Sequence, residues 1–311
     1  MSRIYNALKK SDETEPNMIV QLIDGNQEQS VGTAPPHEPP HEEFDSRVVE
    51  TLREAESLRE PVAAESGEYR SVSLRIPAGI PIFPFDGTDP RAAEEYRVIR
   101  TNLLQHPLQA RMIAMTSATP GDGKTISAIN LAGIMALKSQ SRVLIVDADL
   151  RHSTVAEALG IEPSPGLRDV LRGQCSLEDA IVRIEQMPKL HVLPCGSGTG
   201  NPAELLDSAL CRSVFAALRE QFSYVFVDTT PIAPVADFKL VQQFCDGALV
   251  VLRPDHTNRR AFAEAISIAK EAKLLGTIVN AYEDWFFWRK SGTYYYYGER
   301  SGKRRSAWRK G

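Results

Sequence analysis

The sequence predicts an α/β fold: a doubly wound, mostly parallel sheet with helices on both faces, flanked by non-globular segments. Three observations predict it. From about residue 112 to 280, short apolar runs alternate with helix-length periodic segments, the pattern of parallel strands joined by crossover helices. Two of those runs, RVLIVDADLR at 142–151 and YVFVDTTP at 224–231, end in aspartates. A third stretch, MIAMTSATPGDGKT at 112–125, reads as strand, tight glycine loop and helix start.

The chain begins with SRIYNALKK at 2–10, which puts Ile4, Ala7 and Leu8 on one helical face and Arg3, Lys9 and Lys10 elsewhere. At one or two turns it is too short to stand alone, so residues 1–10 form a short amphipathic segment that folds on a partner or stays frayed. Residues 11–85 are acidic and rich in Pro, Glu, Gln and Ser, as in APPHEPPHEE, without sustained periodicity. They read as a disordered tether, with 48–58 a candidate short helix. Order is predicted from residue 86, and the globular domain spans 86–281. Thr88, Asp89 and Pro90 supply a cap followed by proline, and AAEEYRVIRTNLL at 92–104 continues as helix. Glu94, Arg97 and Arg100 recur every three residues and share one side of it. Such a stripe is a solvated face or, since it carries both signs, a self-complementary contact with an identical neighbour.

The apolar run 113–115 then gives way to the loop Pro120, Gly121, Asp122, Gly123, Lys124, Thr125 and Ile126, where a helix over 126–137 opens. Gly121 and Gly123 permit dihedrals and close approaches that a Cβ forbids. Loop amides, helix N-terminus and the Lys124 ammonium suit phosphate oxygens, while the Thr125 hydroxyl suits Mg²⁺. The full phosphate-loop pattern has glycine where this chain has Ala118. Asp147 and Asp149 close the next strand and Asp228 a later one. In an open parallel sheet, ligands sit just outside the strand C-termini, so Lys124, Thr125, Asp147, Asp149 and Asp228 should face one crevice. Taken singly, each aspartate has the alternative reading of a cap on the following helix.

Beyond the Asp pair, 166–172 and 177–184 are predicted helical and 190–194 a strand. Asn201 and Pro202 start a helix. Helix 208–221, strand 224–227, helix 237–245, strand 248–252, helix 258–274 and strand 276–280 complete the alternation. Past 281 the character changes: residues 282–311 form an aromatic and basic tail. Trp285, Phe286, Phe287 and Trp288 are aromatic without period, and Tyr294, Tyr295, Tyr296 and Tyr297 stand in a row between Gly292 and Gly298. The row is a sticky exposed segment or a set of hydroxyl acceptors.

Composition excludes several classes. The four cysteines, Cys175, Cys195, Cys211 and Cys245, show no CxxC spacing and the six histidines no cluster, so a structural metal is not expected and the thiols belong to a reducing compartment. No apolar run approaches the roughly 20 residues of a membrane span, and no signal-peptide core opens the chain. The net charge of −4 is uneven. Acidic residues crowd the start, while Arg300, Lys303, Arg304, Arg305, Arg309 and Lys310 make a basic end that would meet anionic lipid, acidic protein or nucleic acid, or stay solvated.

Together the ordered motifs EEYRVIRTN, SATPGDGKT, VLIVDADLR, GLRDVL, NPAELL, VFVDTTPI with Val235, Ala236 and Asp237, and the terminal tyrosines give a chain that resembles the bacterial tyrosine kinases of the CpsD/CapB type over residues 85–298. The resemblance implies a P-loop NTPase fold of the deviant Walker type and an ATP- and Mg²⁺-dependent protein-tyrosine kinase. In its terms Pro120 to Ile126 form Walker A, Asp147 and Asp149 belong to Walker A′, and Asp228 is the Walker B aspartate. The implied metal ligands are Thr125, Asp147 and Asp228. Glu94, Arg97 and Arg100 match the family's oligomerisation helix, and Tyr294 to Tyr297 the acceptors of an autophosphorylation that passes between subunits. The implied partners are a membrane-embedded polysaccharide chain-length regulator as activator, copies of the chain itself with a ring as one arrangement, and a cognate tyrosine phosphatase, with no nucleic acid. The implied location is cytoplasmic, on the inner face of the membrane through that partner, and the implied role is control of exopolysaccharide or capsule synthesis.

Two departures stand out: Thr230 replaces a usual proline, and Thr119 stands where positioning and partition ATPases carry a second lysine. Lys124, Asp147, Asp149 and Asp228 are the candidate catalytic groups, with Asp149 as proton acceptor and Asp147 as second choice. Two competing readings use the same residues: a dimerising positioning or partition-type ATPase, and a non-catalytic nucleotide-sensing scaffold.

Overall fold

The computed structural model describes residues 69–82, 84, 89–138, 141–232 and 236–281. The N-terminal amphipathic segment, most of the acidic tether, the tyrosine row and the basic end lie outside the described residues. So does the Thr88 of the predicted cap.

Within the described residues the chain runs β1 (Arg70–Val72), α1 (Pro90–Gln105), β2 (Met112–Ser117), α2 (Lys124–Lys138), β3 (Val143–Asp147), α3 (Val155–Leu159), α4 (Leu167–Leu171), α5 (Leu177–Ala180), β4 (Val182–Ile184), β5 (Leu190–Leu193), α6 (Pro202–Leu206), α7 (Ala209–Gln221), β6 (Tyr224–Asp228), α8 (Asp237–Gln242), β7 (Gly247–Leu252), α9 (Arg259–Glu271) and β8 (Leu274–Val279). The eight strands form one sheet in the order β1-β4-β5-β3-β6-β2-β7-β8. Every neighbouring pair is parallel except β4 with β5, so β1 and β4 run against the rest.

The central strands are buried on both faces, and a period of two sorts their side chains. Ile113, Met115, Val143, Ile145, Phe226, Leu249 and Val251 join the core beneath α1, α2 and α3. On the opposite face Met112, Leu144, Val146, Val225 and Val227 pack with Phe215 and Leu218 of α7, and Ala114, Ala248 and Val250 with Phe238 of α8 and Ala265 and Ala269 of α9.

The helix starts follow their caps. Asp89 accepts from the Arg91 and Ala92 amides, both at 3.0 Å, ahead of Pro90. Asn201 accepts from Ala203 ahead of Pro202, Ser208 from Cys211, and Asn258 from Ala261. Each bond satisfies an amide that the first turn leaves orphaned.

Three expectations are corrected. The fold begins earlier than residue 86: β1 pairs with β4, and Tyr69 and Ile82 are buried. Three residues of strand inside an acidic, proline-rich stretch carry no period to read. The helix predicted over 177–184 ends at Ala180, because the β-branched residues Val182 and Ile184 alternate inward as β4 between β1 and β5. The helix predicted over 258–274 stops at Glu271, where Lys273 takes a left-handed φ of 56° and β8 opens.

Candidate active site

β2, β3 and β6 are neighbours, and their C-terminal ends meet at one place. In the parallel register Asp147 stands beside Asp228, and Met115 beside Asp228 on the other side. The loop after β2 returns Lys124 over those ends as the first residue of α2. The turn takes this shape through glycines: Gly121 has φ of 87° and Gly123 of 92°, backbone that a side chain disfavours.

Lys124 Nζ lies 3.0 Å from Asp149 Oδ2, 3.3 Å from Asp228 Oδ2 and 3.3 Å from Thr125 Oγ1. The Thr125 hydroxyl donates to Asp228 Oδ2 at 2.7 Å and accepts from Thr154 at 3.0 Å. Asp149 Oδ1 accepts from the amides of Arg151 and His152, at 3.3 and 2.9 Å, which turns its other oxygen toward Lys124. Asp147 Oδ2 accepts from the Val155 amide at 3.2 Å, whereas its buried Oδ1 has no partner. The ammonium, the hydroxyl and all three carboxylates thus converge as the sequence reading expected.

Their electrostatics follow from burial. Asp147 and Asp228 are fully buried. Desolvation, and then the charge of Asp228 alongside, push the Asp147 carboxyl up to about 8, against the opposing pull of the Val155 amide and Lys124. Asp228 is raised too, again chiefly by burial, with Lys124 and Thr125 working against the shift. For Lys124, burial acts to lower the ammonium, but Asp228 and Asp149 outweigh it and the net shift is upward. Lys124 therefore stays charged.

An orphaned, buried carboxylate oxygen is the kind of atom a hard cation satisfies. Among the described residues no cluster of three or more His, Cys, Asp or Glu side chains is placed to hold a metal alone. The donors Asp147, Asp228 and Thr125 fit Mg²⁺, which keeps much of its shell as water and phosphate oxygen.

The loop's remaining members divide. Pro120 and Gly121 are exposed along its outside. Asp122 turns its carboxylate inward, fully buried among hydrogen bonds from Thr119, His256 and Thr257, so it offers a ligand only its backbone. Ile126 packs its side chain against the core and likewise has only its amide to give. Sequence reading missed His256, Thr257 and Asn280, which reach the loop from the segments just past β7 and β8. It also missed the bidentate pair of Arg151 with buried Asp237, at 2.7 and 3.0 Å, which ties the segment after β3 to α8. Nothing in their spacing marks them, since the partners are 86 to 158 residues apart.

Glu94, Arg97 and Arg100 lie apart from this site, on α1. Arg97 pairs with Glu94 at 2.6 Å in an exposed contact, while half-buried Arg100 leaves Nε and Nη1 without a hydrogen-bond partner.

A parallel sheet, a glycine loop leading into α2, and aspartates on the adjacent strand ends define a P-loop NTPase domain of the deviant Walker type. The family model described as an AAA domain matches residues 110–258. Tyrosine-protein kinase YwqD of Bacillus subtilis is 36% identical over 218 residues, covering 68% of this chain and 89% of YwqD. Tyrosine-protein kinase CpsD of Streptococcus agalactiae is 29% identical over 218 residues, covering 69% of this chain and 93% of CpsD. Among solved structures, the kinase domain of VpsO is 30% identical with a TM-score of 0.56, covering 62% of this chain and 95% of that one. The chain belongs to the bacterial tyrosine kinase family and is a tyrosine-protein kinase. Among the described residues no helix is long and apolar enough to cross a membrane.

Proposed function

We propose that this kinase binds ATP with Mg²⁺ at the loop Pro120 to Ile126 and passes the γ-phosphoryl group to its own C-terminal tyrosines, Tyr294 to Tyr297, between subunits. The observation that carries the reading is the Lys124 ammonium held at the tip of α2 between Asp149 and Asp228, with Thr125 beside it.

Phosphoryl transfer asks a protein mainly for alignment and for neutral surroundings to the phosphate charge. Lys124 exchanges its carboxylate partners for β- and γ-phosphate oxygens, and the loop amides add fixed donors. Mg²⁺, when bound on Thr125, Asp147 and Asp228, supplies further neutralisation of the phosphates. The attacking tyrosine oxygen forms its bond to phosphorus as the bond to the ADP oxygen breaks. The phenolic proton, held with an ordinary pKa of about 10, passes to a carboxylate. Asp149 is the proton acceptor: its Oδ1 is fixed by two amides and its Oδ2 faces the reacting end of Lys124. Asp147 is the second choice, because a carboxylate that holds Mg²⁺ has its lone pairs engaged by the cation.

Reach supports transfer between subunits. From Asn280 to Tyr294 an extended chain spans roughly 45 Å at about 3.3 Å per residue. The stripe of Glu94, Arg97 and Arg100 would join neighbouring copies, with a ring as one closed form. The resemblance to capsule-associated kinases extends the reading to regulation of exopolysaccharide or capsule synthesis. It brings with it a membrane-embedded chain-length regulator as activator, a tyrosine phosphatase as antagonist, and a position at the inner face of the membrane.

The test follows the label. The full chain is incubated with Mg²⁺ and γ-labelled ATP, alone and with Tyr294 to Tyr297 changed to Phe. Label on tail tyrosine in the wild type, lost in the Phe variant, is expected. Label only in free phosphate would make the chain a positioning-type ATPase, and label nowhere a nucleotide-sensing scaffold.

A further inference from the structure

The phosphate loop is held from outside by a knot of hydrogen bonds that no step above uses. Asp122 Oδ2 accepts from the Thr119 amide at 2.8 Å. Its Oδ1 accepts from the hydroxyls of Thr119 at 3.0 Å and Thr257 at 2.7 Å, and meets His256 Nδ1 at 2.9 Å. A carboxylate only accepts, so the His256 ring carries a proton on Nδ1. The Asp122 carbonyl takes one more bond, from Asn280 Nδ2 at 3.0 Å.

Asn280 is the more informative member. Its own amide donates to Leu252 of β7 at 2.8 Å, which fixes it to the sheet just past β8. Its side-chain amide fills the space beside Gly123 so closely that a Cβ there would overlap Nδ2. Gly121 is more open: His256 Cε1 lies 3.4 Å from where its Cβ would stand, an ordinary contact. Both left-handed glycines thus neighbour side chains from the segments just past β7 and β8, and the residue between them is anchored through side chain and carbonyl together.

We propose that Asp122 and Asn280 are positioning residues for phosphoryl transfer: their side chains, without touching the nucleotide, hold the loop in the curvature that presents its amides and Lys124 to phosphate. The inference rests on the reading of this loop as the nucleotide site. Asn280→Asp is the sharpest perturbation, because it keeps the shape but sets a second acceptor 3.0 Å from the Asp122 carbonyl and adds negative charge against the loop. Asn280→Ala only deletes the bond, and Thr257→Val weakens the knot from the opposite side.

The experiment is calorimetric titration of the full-length wild type and each variant with Mg-ADP, alongside Tm and the separate kcat and KM for ATP. Asn280→Asp is expected to weaken Mg-ADP by roughly tenfold or more, and Asn280→Ala and Thr257→Val by roughly threefold, with Tm close to wild type. Wild-type affinity in Asn280→Asp would overturn the inference, as would a loss of affinity explained by a matching fall in Tm in all three variants. Failure of the wild type itself to bind Mg-ADP would overturn the nucleotide-site reading, and this inference with it.

Discussion

Asp147 carries the most quantitative expectation. Its carboxyl, pushed up to about 8 by burial and then by Asp228, is largely protonated near pH 7. A cation on its orphaned Oδ1 needs the proton gone. Binding of Mg-ADP should therefore release close to one proton near pH 7, and its affinity should fall by up to about tenfold for each pH unit below about 8. Titration calorimetry in two buffers of different ionisation enthalpy measures the released proton directly. Asp147→Asn should reduce the release and weaken the dependence on Mg²⁺. The same shift has a stability consequence of definite sign. A carboxyl whose folded pKa lies above its unfolded value of about 3.9 favours the folded state at low pH, and that contribution is lost as pH rises to about 8. The Tm of Asp147→Asn should accordingly gain on wild type between about pH 5 and 8. Identical apparent enthalpies in the two buffers near pH 7 would refute the reasoning.

Other expectations follow from single contacts. Lys124→Met removes the buried ammonium and should lower autophosphorylation by about a thousandfold or more by phosphate transfer assay; retained activity would contradict its place on the phosphates. In the proposed assembly through the stripe on α1, Arg100→Ala should shift the full chain toward monomer in analytical ultracentrifugation. By contrast, Glu94→Gln should change Tm little, since the exposed pair with Arg97 is worth about 0–1 kcal/mol. Gly160→Ala should lower stability by at least about 1–2 kcal/mol in urea, for Gly160 has φ of 63° and its added Cβ would overlap the Arg75 carbonyl.

The site was more legible than the knot that holds it. Lys124, Thr125, Asp147, Asp149 and Asp228 could be placed from sequence because each sits at a strand end or helix start, where local pattern fixes position. The inward turn of Asp122 could not be read, since it depends on His256 and Thr257, 134 and 135 residues away. In the fold, alternation gave the central strands, buried on both faces. It failed at β1 and β4, where partner strands, rather than any run of apolar residues, turn short segments into sheet.

The strand order puts β1 at one margin of the sheet and β8 at the other. Seven inter-strand steps of about 4.8 Å separate them, roughly 34 Å if the sheet were flat. Tyr69, beside β1, and Asn280, beside β8, therefore lie on opposite flanks of the sheet. A partner bound beside Tyr69 would leave the backbone at Asn280 uncovered.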